Sequence, residues 1–146
     1  MKKIIIYTDG GSRGNPGPAA IGIVFCNEKG QKIKEYAEYL GEATNNEAEY
    51  GAVIFALQKF KALFGKKLAK NTDIELRVDS ELLTKQLSGQ YKVLDSKIAD
   101  LFIKIWNLKT EFRKIRFKLI SRDRNKEADS LVNKELDAKA RNQKLF

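Results

Sequence analysis

The sequence predicts an α/β fold in which a mixed five-stranded sheet carries helices on both faces. Three observations support this prediction. The chain has 146 residues, which fits one domain with one core. Hydrophobic residues make up 42% of it, enough to fill such a core. The segments follow the order β-β-β-α-β-α-α-β-α, which predicts an antiparallel meander followed by parallel strands joined through helices.

The first three strands are separated by clusters of turn residues. Residues 4–8 form a short apolar run, which predicts a buried strand. Residues 9–18 are rich in Gly, Asn and Pro and predict a turn. Residues 20–26 resume a strand, residues 27–30 predict a hairpin turn, and residues 31–40 predict the returning strand.

A long helix and a fourth strand follow. Thr44 is suited to cap the helix, and Glu47, three residues later, completes a capping box. The helix is expected to continue to about Phe64. Its apolar stripe consists of Ala52, Val53, Ala56, Leu57, Phe60 and Phe64. Residues 74–78 alternate between apolar and polar, so they predict a half-buried strand that ends at Asp79.

The last third of the chain predicts three helices and a strand. Residues 81–87 predict a short helix that a glycine ends, and a longer amphipathic helix begins with Asp95 or Ser96 as its cap. The stripe of this longer helix consists of Ile98, Leu101, Phe102, Ile105, Leu108 and Phe112. Residues 115–119 alternate and predict the fifth strand, and residues 125 to about 139 predict the final helix. Its inward residues are Ala128, Leu131, Val132 and Leu136.

The composition narrows the classes of function. There are 28 Lys and Arg against 19 Asp and Glu, and the formal net charge is +9. This excess favours a polyanionic partner, nucleic acid ahead of a membrane surface, while a merely soluble basic protein is the alternative. The sequence contains no histidine, which excludes Ser-His-Asp triads, Cys-His dyads and His-ligated zinc.

The number of cysteines and the N-terminal apolar segment indicate the cellular compartment in which the protein is expected. Cys26 is the sole cysteine, which excludes an intrachain disulfide and a thiolate metal cage, so a reducing cytoplasm is expected. The apolar run near the N-terminus stops at Thr8, too short for a signal peptide or a membrane span. No membrane partner is therefore expected. No sequence feature demands more than a monomer.

Two acidic residues directly follow predicted strands. Asp9 comes after the first strand and Asp79 after the fourth. In open α/β sheets, ligands gather beyond the carboxyl ends of strands, so both side chains are expected to face one crevice. Local structure is an alternative explanation for each residue alone, because Asp before Gly-Gly suits a turn and Asp79-Ser80 suits a helix cap.

Two further acidic residues lie on predicted helices. Glu49 is in line with the apolar stripe of the first helix, whereas Glu47 points in a different direction and is explained by the capping box. Asp129 lies in the first turn of the last helix, in line with inward-facing residues. For both, the alternative is an exposed acid that the helix dipole favours.

Together, Asp9, Glu49, Asp79 and Asp129 predict one chemical site. Three Asp and one Glu, without His or Cys, form an all-oxygen donor set suited to Mg²⁺ or Mn²⁺. Packing so many negative charges together is prohibitive without a cation. A basic protein with such a site indicates phosphodiester chemistry supported by two metal ions.

Four segments of the chain, taken in order, carry a family resemblance. They are YTDGGSRGNPGPA at residues 7–19, TNNEAE at 44–49, VDS at 78–80 and NKEAD at 125–129. In this order they resemble the motifs of type 1 ribonucleases H, and the first motif is highly specific. The resemblance spans about residues 3–136 and implies a ribonuclease H-like fold, with residues 1–146 forming a single ribonuclease H domain.

The resemblance implies an activity and a role for each carboxylate. The activity is endonucleolytic hydrolysis of the RNA strand of RNA–DNA hybrids, giving 5′-phosphate and 3′-hydroxyl ends. Asp9 would bridge two Mg²⁺ ions, with Mn²⁺ as a substitute. Glu49 and Asp79 would complete the site of the ion near the leaving group. Asp129 would help to hold the ion that activates the attacking water.

The resemblance also implies a surface that contacts the hybrid. The glycine-rich loop at residues 10–17 would let the backbone approach a sugar–phosphate strand; it lacks the Lys-Ser/Thr ending of a P-loop, which disfavours a nucleotide cradle. Asn45 and Asn46 resemble residues that contact the minor groove, where an amide can engage a 2′-hydroxyl. The expected contact residues are Gly10, Gly11, Ser12, Arg13, Gly14, Asn15, Thr44, Asn45, Asn46, Glu81 and Asn125.

The chain departs from the family pattern in three places. Many members carry a His before the last helix, where this chain has Arg122; an arginine cannot act as a base, but it can bind phosphate or assist departure of the leaving group. The basic protrusion of some bacterial members is replaced by the short connection 88–94, which leaves hybrid affinity to Lys85, Lys92 and scattered basic residues. Glu81 stands where relatives often carry Gln.

Two other classes of protein are weighed against this hypothesis. A resolvase or integrase-like nuclease of the same superfamily is disfavoured by the Asn45-Asn46 pair. A non-catalytic nucleic-acid-binding module is disfavoured because all four carboxylates are present. The tail at residues 143–146 weakly resembles peptides that dock on sliding clamps, but its spacing is wrong, so a frayed tail or a hydrophobic patch against the core is the preferred interpretation.

Overall fold

The computed structural model describes residues 2–144, apart from the side chain of Lys144. The strands are β1 (Lys2–Ser12), β2 (Gly17–Asn27), β3 (Lys32–Ala43), β4 (Thr72–Val78) and β5 (Lys114–Leu119). The helices are α1 (Asn45–Phe64), α2 (Lys66–Lys70), α3 (Glu81–Leu87), α4 (Ser96–Lys109) and α5 (Lys126–Lys144), and a 3₁₀ turn covers Arg122–Asn125. The tail residues 145 and 146, on which the clamp hypothesis depends, lie outside the described residues.

The strands form one five-stranded mixed sheet in the order β3-β2-β1-β4-β5. β1, β2 and β3 pair antiparallel, whereas β4 pairs parallel with both β1 and β5. The predicted meander followed by parallel strands is therefore confirmed. The two parallel pairs place the C-terminal end of β4 beside the middle of β1, which is where Asp79 and Asp9 lie.

Alternating residues of the sheet contact different helices. Ile4 and Ile6 of β1 belong to the main core, which α1, α3 and α4 cover. Ile5 lies on the opposite face, where Leu131 of α5 packs nearby. Helices on both faces are therefore confirmed. Among the described residues, no helix is long and apolar enough to cross a membrane.

The glycine-rich segment is the main departure from the predicted elements. β1 continues through Gly10 and Gly11 to Ser12, and these residues pair with Ala19 to Ile21 of β2. Glycine and serine are poor strand formers, but the backbone hydrogen bonds with β2 require no particular side chain. The turn is therefore confined to residues 13–16 rather than residues 9–18.

Smaller differences concern helix ends. The capping box is confirmed, since the Thr44 hydroxyl accepts from the Glu47 amide and the Glu47 carboxylate accepts from the Thr44 amide. Phe64 is 36% exposed, so the predicted inward stripe of α1 ends at Phe60. The short helix α2 was not predicted, because five residues contain too little periodicity. The final helix begins one residue later than predicted, after the 3₁₀ turn, and extends to Lys144.

Candidate active site

All four predicted carboxylates line one cavity of about 500 Å³. β1 contributes Asp9, α1 contributes Glu49, the end of β4 leads into Asp79, and the first turn of α5 contributes Asp129. The cavity is also lined by Gly10, Gly11, Ser12, Arg13, Asn45, Arg122, Val132, Asn133 and Leu136. The structure thus brings together residues that are up to 120 positions apart in sequence, and their individual roles stay predictions.

Asp9 is the electrostatic centre of this cluster. Its pKa is raised from 3.8 to about 8, chiefly by burial and further by the charges of Asp79, Asp129 and Glu49. A side-chain hydrogen bond with Asp129 also raises the pKa of Asp9. The site therefore carries more negative charge than it can hold ionised on its own, and a bound cation would relieve this repulsion.

The pKa of Glu49 is raised by some neighbouring groups and lowered by others. Burial raises the pKa of its carboxyl, and the charge of Asp79 raises it further. A hydrogen bond with Ser80 and the positive charge of Arg122 act in the opposite direction. Arg122 thus lies close enough to the carboxylates to act on them, while its own side chain is exposed to solvent and can reach a bound anion.

Asn125 holds Asp79 from behind. Its Nδ2 donates to the Asp79 Oδ2 at 3.0 Å and to the backbone oxygen of Thr8 at 2.9 Å. Asn125 is only 1% exposed, so the expected direct contact with substrate is revised. The amide instead joins the end of β4 to β1 and fixes the Asp79 carboxylate in place. Its Oδ1 accepts no hydrogen bond within the described residues.

Replacing Asn125 with Ala is expected to lower the free energy of unfolding by about 1–3 kcal/mol, because a buried carbonyl and a carboxylate lose their donor. Hybrid cleavage should fall by roughly ten- to a hundredfold, as for other groups that orient a ligand. Urea unfolding and initial rates would measure both effects. Asn107→Ala, at an exposed position of α4, is the control and should change neither. Unchanged rates in Asn125→Ala would contradict the positioning role.

Gly10 allows α1 to approach the sheet closely enough to deliver Glu49. A Cβ atom at Gly10 would collide with the backbone carbonyl of Ala48 and would lie 2.6 Å from the amide nitrogen of Glu49. The sequence interpretation gave Gly10 a substrate contact. The structure buries this residue against α1, so its missing side chain serves helix packing.

Gly22 has the same function on the other side of the sheet. It pairs with Asp9 across the β1–β2 ladder, and a Cβ atom at Gly22 would collide with the backbone oxygen of Ala128. This contact seats the first turn of α5 on β2 and so delivers Asp129 to the cavity. Sequence reasoning missed Gly22; a lone glycine inside an apolar strand is the signal that could have indicated a close backbone approach.

The predicted substrate loop and the start of α1 are joined by hydrogen bonds. Asn45 Oδ1 accepts from the backbone nitrogen of Ser12 at 2.9 Å and from its hydroxyl at 3.1 Å. Asn15 Oδ1 accepts from the Asn45 backbone nitrogen at 3.0 Å. Asn46 Oδ1 is shielded from solvent and accepts no hydrogen bond within the described residues, so any contact with a 2′-hydroxyl must use its Nδ2.

The remaining predicted contact residues are distributed unevenly. Gly11 and Arg13 line the cavity, and Arg13 Nη2 donates to the Asp137 carboxylate at 2.6 Å. Gly14 forms the exposed turn beyond it with a φ of 100°. Glu81 lies outside the cavity lining and forms an exposed ion pair with Lys85 at 3.0 Å. Glu81 therefore has a local partner that accounts for its charge.

Ionisation of Asp9 should make stability depend on pH in the presence of EDTA. Because its folded pKa of about 8 exceeds the ordinary 3.8, the folded state disfavours the ionised form. The free energy of unfolding should therefore decline as pH rises from about 4 to about 8 and then level off. Urea unfolding between pH 5 and pH 9 measures this slope. The Asp9→Asn variant should show a smaller dependence of the free energy of unfolding on pH, because Asn does not ionise. A flat wild-type profile would contradict the raised pKa.

Sequence comparisons identify relatives of the chain. A family model described as reverse transcriptase-like matches residues 7–135. Ribonuclease HI of Halobacterium salinarum is 41% identical over 135 residues, which cover 92% of this chain and 65% of that protein. The bifunctional protein Rv2228c of Mycobacterium tuberculosis is 37% identical over 139 residues, which cover 94% of this chain and 36% of that protein. The chain thus spans between about a third and two thirds of these relatives.

Solved structures show the same similarity. LC11-RNase H1, isolated from compost by a metagenomic approach and crystallised in complex with an RNA/DNA hybrid, is 48% identical with a TM-score of 0.85. The match covers 90% of this chain and 94% of that one. The N-terminal RNase H domain of Rv2228c is 35% identical with a TM-score of 0.87, and the match covers 98% and 99% of the two chains.

The chain has a five-stranded mixed sheet, and four carboxylates meet where β1 lies beside the end of β4. This arrangement places it in the ribonuclease H class of folds. Within that class, the matches over nearly the whole chain show that it belongs to the type 1 ribonuclease H family. The resemblance inferred from the four motifs is therefore confirmed.

Proposed function

We propose that the chain is an endonuclease that hydrolyses the RNA strand of RNA–DNA hybrids and leaves 5′-phosphate and 3′-hydroxyl ends. The observation that carries this proposal is the convergence of Asp9, Glu49, Asp79 and Asp129 on one cavity. Its support is the family membership of the chain and the hybrid bound by LC11-RNase H1. The whole of residues 1–146 would act as one ribonuclease H domain.

The donor set fits two Mg²⁺ ions, with Mn²⁺ as a substitute. Only carboxylate oxygens are offered, and divalent cations would neutralise the negative charges that, together with burial, raise the pKa of Asp9 to about 8. Within the described residues, no three acidic or cysteine side chains are arranged to hold an ion by themselves. Phosphate oxygens of the substrate and water are therefore expected to complete the coordination, as is common for Mg²⁺.

When bound, such ions supply an activated water and stabilise the entering and departing oxygens of an in-line displacement. The chain's own residues hold and orient the reacting groups. Asp9 would contribute to both ion sites, Glu49 and Asp79 to the one near the leaving group, and Asp129 to the one near the water. Arg122 can neutralise a phosphate oxygen. The chain contains no histidine, so no imidazole serves as a general base.

Recognition is expected to depend on the shape of the hybrid and on its 2′-hydroxyls. Asn45 is exposed and fixed by Ser12, so its amide can present Nδ2 to the minor groove. Asn46 can offer its own Nδ2 beside it. Backbone and phosphate contacts position a strand without reading its bases, so cleavage should depend little on sequence.

A side-by-side assay tests the proposal. RNA–DNA hybrid, duplex RNA and duplex DNA of one sequence would be incubated with Mg²⁺, Mn²⁺ or EDTA, and the ends of the products determined. We expect metal-dependent cleavage of the hybrid's RNA strand with 5′-phosphate ends. Equal cleavage of duplex DNA would favour a resolvase-like nuclease instead. Retention of the hybrid without cleavage would favour a non-catalytic binding module.

A further inference from the structure

The surface of β1, β4 and β5 that faces away from the main core is not accounted for by the proposed site. Ile74, Leu76 and Val78 of β4 point into the main core, so Glu75 and Arg77 point to the opposite face. α5 packs mainly on β2 and reaches β1 and β3 on that face. This leaves a strip, here called the open face, that carries Lys3, Tyr7, Asp73, Glu75, Arg77, Lys114, Arg116 and Lys118.

The strand register arranges the open face in rows. Tyr7, Arg77 and Lys118 form one row, and Lys3, Asp73 and Lys114 form the row farthest from it. The middle row pairs Glu75 with Arg116. Because residues two apart on a strand are separated by about 6.6 Å, the rows repeat at that spacing. Three neighbouring strands make the strip about 10 Å wide.

The open face carries an excess of positive charge. Glu75, 8% exposed, is its central carboxylate, with Arg77 Nε at 2.7 Å, Lys3 Nζ at 3.7 Å and Arg116 Nη2 at 3.9 Å. The charge of Lys118 also acts on this carboxylate. The other acid, Asp73, is bound by Arg113 at 2.7 Å. Several cations therefore surround one buried carboxylate, which neutralises only part of their positive charge. The remaining positive charge would attract an anionic ligand.

The central arginine is held rigidly. Arg77 donates from Nε to Glu75 and from Nη1 to the Tyr7 hydroxyl at 2.7 Å, and its guanidinium lies 5.3 Å from the Tyr7 ring centre. Around it, Arg116 and Lys118 are exposed, and their long side chains can adopt other rotamers to meet a ligand. A fixed guanidinium among adjustable cations is an arrangement suited to phosphate groups.

The open face lies on the same sheet as the carboxylate cavity, and the 3₁₀ turn Arg122–Asn125 lies between them, because Asn125 is buried against the Thr8 backbone and the Asp79 carboxylate. Asp79 follows Arg77 by two positions along β4, and Asp9 follows Tyr7 by two positions along β1. The row containing Arg77 and Lys118 therefore lies about 6.6 Å from the row of carboxylates. A strand that leaves the cavity toward the start of β4 would cross this turn, where Arg122 and Arg124 are exposed, and would then reach the Arg77 row. Beyond it lie Arg116 beside Glu75 and then the row that holds Lys3 and Lys114.

We infer that the open face binds the sugar–phosphate backbone of a single nucleic-acid strand that extends beyond the hybrid held at the carboxylates. This inference rests on the proposed function. A strip about 10 Å wide beside α5 offers room for one backbone. An acidic protein partner is the less suitable occupant, because lysine is depleted in protein interfaces and Lys3, Lys114 and Lys118 make up most of the exposed groups of the open face.

The test compares two variants with the same change in charge. Arg116→Glu combined with Lys118→Glu reverses two cations of the open face. Lys66→Glu combined with Lys67→Glu reverses two exposed lysines on α2, which packs beside α1. Dissociation constants would be measured in EDTA for a blunt hybrid and for hybrids with a ten-nucleotide single-stranded or duplex extension at either end.

In the wild type, a single-stranded extension at one end should tighten binding about tenfold, and its salt dependence should be steeper by about 0.7 per phosphate engaged. The R116E/K118E variant should lose this gain, so that extended and blunt hybrids bind alike. The K66E/K67E variant should keep it. Circular dichroism would check folding, and Arg116→Gln with Lys118→Gln provides a milder pair if charge reversal unfolds the protein.

Three outcomes would overturn the inference. They are equal wild-type affinity for blunt and extended hybrids, equal loss in both double variants, and an equal gain from a duplex extension. The binding readout is independent of cleavage. If the protein binds extended hybrids more tightly but does not cleave hybrid, only the proposed function is contradicted. If it cleaves hybrid but binds blunt and extended hybrids equally, only the open-face proposal is contradicted.

Discussion

Asp9→Asn is expected to reduce hybrid cleavage by roughly a thousandfold or more while the protein stays folded. Asp9 lies between Asp79, Asp129 and Glu49, so its charge is the one that both proposed ion sites would share. An amide has almost the same shape but cannot supply that charge. Initial rates on labelled hybrid with saturating Mg²⁺ measure the loss. Asp100→Asn, an exposed position on α4, is the matched control and should leave the rate unchanged.

The same variant should be more stable than the wild type in EDTA at pH 9. Removing one carboxylate from a repelling cluster is expected to raise the free energy of unfolding by about 1 kcal/mol, or the melting temperature by ~3–5 °C. Adding Mg²⁺ should stabilise the wild type through binding and should stabilise the variant less. Cleavage at the wild-type rate, or lower stability in EDTA, would contradict the proposed metal site.

Gly10→Ala should produce a large loss of stability. The new Cβ would collide with the backbone of Ala48, and backbone cannot rotate away as a side chain can. We expect a loss of about 3 kcal/mol or more in the free energy of unfolding. The surviving folded protein should also cleave hybrid more slowly, because α1 must shift and carry Glu49 away from the cavity.

Gly11→Ala is the control for this substitution. Its Cβ would lie 3.6 Å from Val132 Cγ1, an ordinary van der Waals distance, so its stability should change by less than about 1 kcal/mol. Urea midpoints of the two variants would be compared in EDTA and in Mg²⁺. Equal midpoints for Gly10→Ala and Gly11→Ala would show that α1 does not depend on close contact at Gly10.

Most elements of the fold could be predicted because their signals are local. The capping box at Thr44 and Glu47 and the apolar stripes of α1 and α4 involve residues within one or two turns of each other. Strand alternation in β4 and β5 is equally local. The continuation of β1 through Gly10 and Gly11 was missed because pairing with β2, and not residue propensity, makes those glycines extended.

The sequence was enough to predict which carboxylates form the candidate site, but not how neighbouring residues hold them in place. Strand ends and helix stripes singled out Asp9, Glu49, Asp79 and Asp129, and the family motifs supplied their order. Nothing in a single sequence indicates that Asn125 is buried behind Asp79, since an asparagine at a helix start is equally suited to an exposed position. Its two hydrogen bonds depend on three segments that meet only after folding.

By itself, the sequence determined the α/β class, the all-oxygen donor set and the absence of histidine chemistry, because residue type and short-range periodicity are enough for these. The tertiary structure alone decided how the carboxylates meet. The missing side chains of Gly10 and Gly22 allow the backbones of α1 and α5 to contact the sheet. The register of β1, β4 and β5 places the cations of the open face side by side. Such contacts join residues far apart in the chain, and only close packing of the folded backbone fixes their distances.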